Sequence, residues 1–403
     1  MPRNCARAQR HGELRSHGHG DRPEVGTRGA LSWRTADLGT GAARTRESMR
    51  ILLTVKHFDY GGAENHVREL ANALVARGHR VWVAAPPGRQ AVLLHRSVEH
   101  VPVSYSDLNH PLQALRLAWL VRRERIDVIH AHQRLATLTA CLAGRLAARP
   151  VVATLHGQLQ HDLTRWPGAP GMLARLIVVS PFFADLVARH SPVLAPKTVC
   201  IPNGARRAAA VATRDEGRQV AACAARIVPR MGAFLANLAN AAGDLAREYP
   251  AFELHIYGDG PALPALLVRV AEANRAAGRA VVRLSGYHPD LPLAFAAADL
   301  ALGVGRVAIE ALMQGVPLIP ANQRYLGQPL SRQGYSALAA TNFVPRHSPR
   351  PDRAALRRTL ADALERLASL AREARELQPL VARDYDMDVI AGRIEEVYLA
   401  LAP

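Results

Sequence analysis

The spacing of hydrophobic positions changes twice between residues 50 and 85. Arg50–Val55 is a largely apolar run of strand length. Apolar residues then recur at the i, i+3, i+4, i+7 and i+8 positions of one helix face, at Val67, Leu70, Ala71, Leu74 and Val75. After Gly78, the run Arg80–Ala85 is apolar again. This pattern predicts a strand, a helix and a second strand parallel to the first, with both strands buried on their two faces.

The same alternation continues along the chain in two series. The first series adds strands at 127–130, 151–155, 176–179 and 198–201. The second has strands at 219–225, 252–257, 281–284, 300–302 and 317–320, with helices such as 232–248 and 261–276. The predicted fold class is α/β, with two Rossmann-like, doubly wound domains that face each other. Because ligands bind outside the carboxyl ends of parallel strands, the two domains would enclose a cleft with two half-sites.

The domain boundaries follow changes in this pattern. Residues 49–204 make up the first predicted domain and 219–383 the second. Residues 205–218, between them, have no clear period and are predicted to be a linker. Residues 1–48 show neither the helical nor the strand period of hydrophobic residues and contain few residues that could form a core, so we expect a disordered leader. Met49 directly precedes the first strand and is an alternative start of the protein.

The net charge of the chain and its distribution limit the classes of binding partner that we expect for the protein. The formal net charge is +17, and the basic residues are almost all arginine, with Lys56 and Lys197 as the only lysines. These charges are spread over many predicted helices rather than gathered in one stripe, so no nucleic-acid partner is predicted. Attraction to phosphates or to anionic lipid headgroups is the broader expectation, including peripheral contact with an anionic membrane.

Targeting features and cysteines favour the cytoplasmic side of a cell. The chain has no run of about 18 apolar residues that could span a membrane, and residues 1–20 lack the apolar centre of a secretory signal. The cysteines are scattered without the spacing of a metal site and are expected to be reduced thiols: Cys5, Cys141, Cys200 and Cys223. We expect a cytoplasmic protein that can lie peripherally on the inner face of the membrane.

The stretch 298–319 carries the most informative motif. A predicted strand ends in Gly303-Val304-Gly305, and a helix follows at once. Glycine lets the backbone approach a ligand closely, and the amino terminus of a helix offers unpaired N–H groups and a positive dipole to a diphosphate. Glu310 lies about one and a half turns inside that helix, where a carboxylate suits sugar hydroxyls. The residues alone leave open a packed turn with a solvated glutamate.

From Met49 onwards the chain resembles a retaining glycosyltransferase of family 4 with the GT-B fold. Further short segments carry this resemblance, and they are jointly strong in this order and at these spacings. They are Gly61-Gly62-Ala63-Glu64, His130-Ala131-His132, Leu155-His156-Gly157, Ile201-Pro202-Asn203-Gly204, Arg226, Gly258-Asp259-Gly260-Pro261 and Gly286-Tyr287. The resemblance implies a UDP- or GDP-linked sugar as donor substrate, a glycan, lipid or small-molecule acceptor, and neither a cofactor nor a metal.

The resemblance assigns roles at the donor phosphates residue by residue. It places the loop of Gly61 and Gly62 near these phosphates. It gives Arg226 the catalytic task of neutralising the diphosphate as the nucleotide departs, which suits a fixed guanidinium. The family's lysine partner would fall at Met231, and the adjacent Arg230 is expected to compensate.

Gly303, Gly305, Arg306 and Glu310 are also assigned to the donor through the resemblance. Glu310 matches the second glutamate of the family's Glu-x7-Glu motif, which commonly binds the nucleotide ribose. Leu302 stands where the first glutamate is expected. We attribute Arg306 to a subgroup with Gly-x-Gly-Arg rather than to decay of the site.

The resemblance gives His156 a catalytic role near the donor sugar, where its ring or backbone assists the transition state. By itself, His156 equally fits a strand-end histidine satisfied by the backbone. Glu64 and His132 are assigned to the acceptor side. Retaining enzymes of this fold are thought to let the leaving phosphate help deprotonate the acceptor, so no protein nucleophile is required. The lack of a Gly-x-Ser-x-Gly elbow agrees with this.

Two further motifs suggest metals but favour structural interpretations. The segment 384–388 has the Asp-x-Asp pattern and resembles a calcium loop, but Val389 stands where such a loop needs glycine. We predict a capping turn before a last helix within 384–403, which in resembling proteins crosses back onto the first domain. His130 and His132 share one face of a strand end, without an apparent third ligand.

Two other functions stay open. The run from Gly303 to Ala308 also fits the Gly-x-Gly-x-x-Ala fingerprint of an NAD(P)-dependent oxidoreductase, although it falls late in its domain and no acidic residue follows the next strand. The residues Leu302 and Met231 leave open a catalytically inactive nucleotide-binding scaffold.

Overall fold

The first half of the chain forms a parallel sheet covered by helices. The computed structural model describes residues 48–157, 168–210, 215 and 217–401. The strands are β1 Arg50–Val55, β2 Arg80–Ala85, β3 Val98–Pro102, β4 Val128–His132, β5 Val151–Leu155, β6 Arg175–Val178 and β7 Thr198–Cys200. The helices are α1 Gly62–Ala76, α2 Arg89–Val92, α3 His110–Arg123, α4 Arg134–Ala147, α5 Ala169–Met172 and α6 Pro181–His190. The strand order is β3-β2-β1-β4-β5-β6-β7, with parallel pairing throughout.

The second half repeats this architecture around a shorter sheet. Its strands are β8 Gln219–Ala224, β9 Phe252–Tyr257, β10 Val282–Gly286, β11 Leu300–Gly303 and β12 Leu318–Pro320. Its helices are α7 Pro229–Leu245, α8 Leu263–Ala277, α9 Leu291–Ala296, α10 Arg306–Met313, α11 Tyr335–Ala340, α12 Arg353–Glu365, α13 Leu367–Tyr385 and α14 Met387–Leu399. The order β10-β9-β8-β11-β12 is again fully parallel. The predicted fold class, α/β with two Rossmann-like doubly wound domains, is confirmed.

Both sheets reverse their winding beside their first strand. The chain runs outward from β1 to β3 and then returns to β4 on the other side of β1, and β8 and β11 repeat this arrangement. Such a reversal leaves a crevice at the carboxyl ends of the two central strands, because the loops there turn to opposite faces. The loops after β1, β4, β8 and β11 are therefore placed to form a site.

Some predicted elements differ from the observed ones. The sequence pattern did not predict β3, whose residues are only partly buried because it forms one edge of the sheet. Helix α7 begins at Pro229 rather than at 232. Proline suits the first turn of a helix, because a backbone N–H at that position would have no partner within the helix. The predicted leader, apart from Ser48, lies outside the described residues, as does most of 211–216 in the predicted linker.

The last helix packs against the first sheet. Ala205 donates its N–H to the Tyr385 carbonyl at 2.9 Å, and Met387 donates to the Ala205 carbonyl at 3.0 Å, so the two chain crossings lie side by side. Helix α14 buries Ile394 and Tyr398 among residues of the first core. The predicted capping turn is present, because the Asp386 carboxylate accepts the Asp388 N–H at 2.8 Å. None of the described helices combines the length and apolar character needed to cross a membrane.

Candidate active site

A first cavity opens between the carboxyl ends of the two sheets. Its volume is ≈ 120 Å³. One wall is the β1–α1 loop with Gly61 and Gly62, and the other holds Arg226, Arg306 and Glu310 with the loops after β9 and β10. Five residues that the sequence assigned to the donor thus line one crevice. The guanidinium of Arg226 and the first turns of α10 come from the same half of the chain, as the donor assignment requires.

Arg226 follows β8 and connects the two walls of this first cavity. Its Nη2 donates to Glu64 Oε1 at 2.8 Å and to the carbonyl oxygen of Tyr60. The Arg226 side chain is 40% exposed, whereas that of Glu64 is 2% exposed. Arg226 therefore keeps part of its surface open to an anionic ligand, although one carboxylate already binds it. Glu64, assigned to the acceptor side, also accepts from Gln133 Nε2 at 3.2 Å and so contacts both halves of the site.

Helix α10 contributes Arg306 and Glu310, which lie one turn apart. The aliphatic stem of Arg306 lies against Gly62, where the Cβ of any larger residue would come within 3.5 Å of Arg306 Cβ. The Arg306 guanidinium pairs with Glu310 at 2.7 Å. Burial raises the pKa of Glu310, while the charge of Arg306 opposes that rise. Glu310 is thus held as a buried carboxylate that lines the first cavity.

Gly303 and Gly305 flank the start of α10 but do not line the first cavity. A side chain at Gly303 would overlap the side chain of Val307. Gly305 adopts φ 59° and donates its N–H to the Asn342 carbonyl at 2.9 Å. Glycine is therefore required here by packing and by backbone conformation. A close approach of the backbone to a ligand stays a prediction for both residues.

A second cavity lies against the first sheet, with a volume of ≈ 400 Å³. It is lined by Lys56, Arg134 and His156 from the first half and by Arg230 from the second. Arg230, which the sequence assigned to the donor beside Arg226, thus faces this cavity instead. The described residues that line it include no Asp or Glu, and their charged side chains are cations.

Both ring nitrogens of His156 are engaged. Nδ1 lies 2.9 Å from Asn203 Oδ1, and Nε2 lies 2.9 Å from His132 Nδ1. Because the amide oxygen can only accept, Nδ1 carries the proton and Nε2 accepts from His132. Burial lowers the pKa of His156 to about 4, although the bond to Asn203 opposes this. The ring is a neutral, oriented group, and His156 lines the second cavity.

His132 lies behind His156 rather than on a cavity wall. It belongs to a buried histidine cluster, which comprises His66, His130, His132 and His156. Burial lowers the pKa of each of the four imidazoles, and neighbouring histidines add to the effect at all but His156. Across the ranges that the structure describes, no group of three or more His, Cys, Asp or Glu has the geometry to hold a metal ion.

Gln133 is a site residue that sequence reasoning missed. It directly follows β4 with φ 68°, a conformation that costs energy for a residue other than glycine. Its Oε1 accepts the N–H groups of Lys56 and His57 at 3.1 and 3.2 Å, while its Nε2 donates to Glu64. The strained backbone thus aims one side chain at the β1–α1 loop. The sequence held no signal for it, because backbone strain is a tertiary property.

An aromatic pair around Arg89 was also missed. The Arg89 guanidinium lies 4.7 Å from the ring centroid of Tyr60 and 5.2 Å from that of Tyr287, within cation–π range. The same guanidinium lies 3.6 Å from Asp259 Oδ2, and the Tyr287 hydroxyl accepts from Gln90 Nε2 at 3.0 Å. This cluster joins the two halves at the rim of the first cavity. Tyr287 belongs to a recognised motif, whereas nothing in the sequence marked Arg89.

Comparisons with known proteins bear on the family. Residues 60–207 match the model of Glycosyltransferase Family 4. A phosphatidyl-myo-inositol mannosyltransferase of Mycobacterium tuberculosis (strain H37Rv) is 29% identical over 374 residues, which are 85% of this chain and 94% of that protein. Residues 60–207 therefore match glycosyltransferase family 4, and most of the chain is similar to a mannosyltransferase.

Solved structures share the fold of this glycosyltransferase. A glycosyltransferase from Rickettsia africae matches with a TM-score of 0.69 at 17% identity, covering 88% of this chain and 98% of its own. Anabaena HepE in complex with UDP-glucose matches with a TM-score of 0.68 at 21% identity, covering 88% and 100%. The predictions of the GT-B fold and of a transferase are confirmed. The oxidoreductase alternative loses support, because Gly303 follows β11 and not the first strand of its sheet.

Proposed function

We propose that this glycosyltransferase moves a sugar, with retention of configuration, from a nucleoside diphosphate to a hydroxyl of an anionic, lipid-linked acceptor. The observation that carries the donor half is the shared cavity of Arg226, Glu310 and the glycine loop at Gly61 and Gly62. A guanidinium and the start of a helix suit a diphosphate, and a buried carboxylate suits ribose hydroxyls. Together these groups support a donor diphosphate in the first cavity.

The second cavity supports an anionic acceptor. Lys56, Arg134 and Arg230 are the lysine and arginine residues among its described lining, which favours a phosphate-bearing molecule. The M. tuberculosis relative is named a phosphatidyl-myo-inositol mannosyltransferase, so a phosphorylated polyol on a lipid is the acceptor class that we propose. The sugar hydroxyl of such an acceptor would point towards the first cavity, past His156.

An exposed face of α3 supports a membrane-bound acceptor. Leu112, Leu115 and Trp119 are 59 to 61% exposed, and their i, i+3 and i+7 spacing puts them on one side of the helix. Arg122 and Arg123 are exposed at the end of the helix. Apolar side chains flanked by arginines suit the surface of an anionic membrane. Arg134 of the second cavity pairs with Asp107 at 3.4 Å, three residues before α3, so this face adjoins the acceptor side.

Retention is proposed from the composition of the second cavity. A protein nucleophile would be a carboxylate about 5 Å from its acid partner, and the described residues that line the cavity at His156 include no carboxylate. We therefore assign deprotonation of the acceptor to the leaving phosphate, held by Arg226. The carbonyl group of His156 would face the positive charge that develops on the sugar.

Transfer of labelled sugar from UDP- and GDP-sugars to phosphoinositide vesicles tests this function. The product should keep the anomeric configuration of the donor by NMR. Arg226→Ala should lower the transfer rate at least about a hundredfold, because it removes the charge that stabilises the departing diphosphate. The control Arg269→Ala removes an exposed arginine paired with Glu272 on the outer helix α8 and should leave the rate unchanged. A near wild-type rate for Arg226→Ala, or no transfer from any donor, would defeat the assignment.

Vesicle binding tests the membrane face separately. Trp119→Glu should weaken binding to anionic vesicles and leave transfer to a water-soluble acceptor intact. Val268→Glu is the matched control, since Val268 is 57% exposed on α8 of the other half. Equal vesicle affinities for both variants would exclude α3 as the contact.

A further inference from the structure

We propose that Glu69 is a positioning residue of the donor site. From α1, in the half that holds the acceptor cavity, it binds Arg306, and through Arg306 it fixes the carboxylate of Glu310 in the first cavity. This inference rests on the proposed donor role of Glu310. Glu69 itself does not line the cavity.

The three nitrogens of the Arg306 guanidinium contact three different segments of the chain. Nε lies 2.7 Å from Glu310 Oε1 on the same helix, and Nη2 lies 2.6 Å from Glu69 Oε2 on α1. Nη1 donates to the Gly204 carbonyl at 2.9 Å, at the end of the first half of the chain. Two hydrogen bonds, to Glu310 and to Gly204, fix the plane of the guanidinium, and the ion pair with Glu69 adds a third contact, so the carboxylate of Glu310 is also oriented.

Burial makes the three charged groups depend on one another. The side chains of Arg306, Glu310 and Glu69 are 5%, 3% and 10% exposed. A buried charge without a partner is strongly destabilising, so each member needs the others. The two carboxylates raise the pKa of Arg306 against the effect of burial, which keeps it charged. With Glu69 neutralised, the single remaining carboxylate would be drawn towards Arg306 and away from a ligand.

The contact also links the two halves of the molecule. Glu69 belongs to the first half, whereas Arg306 and Glu310 belong to the second. The three-way pairing exists only when the halves take this relative position. The second oxygen of Glu69, Oε1, accepts from Arg68 Nη2 at 2.9 Å, which holds the carboxylate in place from behind. Orientation of Glu310 is therefore tied to the position of the acceptor half.

A double-mutant cycle with Glu69→Gln and Glu310→Gln tests this proposal in the full-length protein. Calorimetry measures the Kd of UDP and of GDP, and transfer kinetics give KM and kcat for the donor. We expect each single variant to weaken nucleotide binding about tenfold, which corresponds to about 1.4 kcal/mol. The double variant should be no weaker than Glu310→Gln alone, because Glu69 acts only through Glu310. KM for the donor should rise more than kcat falls.

A control separates positioning from general stability. Glu395 is also a buried carboxylate that pairs across elements, with Arg77, far from the donor residues in the fold. Glu395→Gln should lower the melting temperature without changing the Kd. Two results would overturn this proposal and leave the proposed function standing. One is additive effects of Glu69→Gln and Glu310→Gln on nucleotide binding, and the other is an unchanged Kd in Glu69→Gln with a lowered melting temperature. Wild-type protein that binds neither nucleotide would overturn the proposed function together with it.

Discussion

Removal of the charge on Glu64 should tighten the binding of nucleoside diphosphates. The Glu64 carboxylate stands in the first turn of α1, a position that favours anions, and already binds Arg226 at 2.8 Å. The first cavity, at ≈ 120 Å³, is smaller than the several hundred Å³ or so of typical ligand pockets. We infer that any donor diphosphate has to compete with this carboxylate for Arg226.

The magnitude follows from the exposure of the two partners. The Arg226 side chain is 40% exposed, so solvent screens the pair, and exposed pairs contribute only about 0.2 to 1 kcal/mol. Glu64 is 2% exposed, which favours the upper end of that range. If the diphosphate no longer has to displace a pair worth about 1 kcal/mol, its binding should become about fivefold tighter. Glutamine keeps the shape of the side chain and can still accept from Gln133, so the fold should persist.

Calorimetric titration of Glu64→Gln with UDP and GDP measures this effect. The gain should shrink as salt is raised, because salt screens partly exposed charges. The nucleosides uridine and guanosine should show no gain, since they carry no phosphate. The control Glu99→Gln breaks an exposed pair with Arg80 at the opposite end of the sheet and should change nothing. Unchanged or weaker diphosphate binding in Glu64→Gln, or an equal gain for the nucleosides, would refute the competition.

Three further outcomes follow from the backbone and from the buried histidines. Gly258→Ala should lower the free energy of unfolding by about 3 kcal/mol or more, measured in urea, because φ is +140° and the new Cβ would overlap the Ala225 carbonyl. Gly232→Ala, within α7 and with no atom within 4 Å of the new Cβ, should instead raise it by about 0.5 to 1 kcal/mol; a loss there would contradict the assigned helix. Burial lowers the pKa of His130 to about 3 from 6.5, so the unfolded chain binds more protons between these values and stability falls as the pH drops below 6.5. His130→Asn should make that fall shallower, by up to about 1.4 kcal/mol per pH unit, and identical slopes in both proteins would exclude His130 as a cause.

Local patterns determined the elements and the class of fold. The strand β9, Phe252–Tyr257, has the predicted bounds, because Phe252, Leu254 and Ile256 alternate with the polar residues Glu253 and His255 at the period of a strand. The rule that ligands bind at the carboxyl ends of parallel strands then predicted that Arg226 and Glu310 share one cavity, although neither residue by itself indicates a shared site. The edge strand β3, Val98–Pro102, escaped prediction because it is only partly buried and lacks an apolar run.

The partners of the site side chains could not be predicted in the same way. Arg306 was expected at the donor, but its guanidinium turns to Glu69, and Arg230 faces the second cavity instead of the first. His132 and His156 share a hydrogen bond that depends on the register of β4 and β5.

The sequence by itself determined that this chain forms two parallel α/β sheets and carries the motifs of a family 4 glycosyltransferase, since hydrophobic period and short motifs are local. Only the tertiary structure decided which carboxylate holds which arginine, and therefore which charges stay open to a ligand. The physical reason is that ion pairs form between groups that are adjacent in space, and the docking of one half of the molecule on the other brings together residues that are distant along the chain.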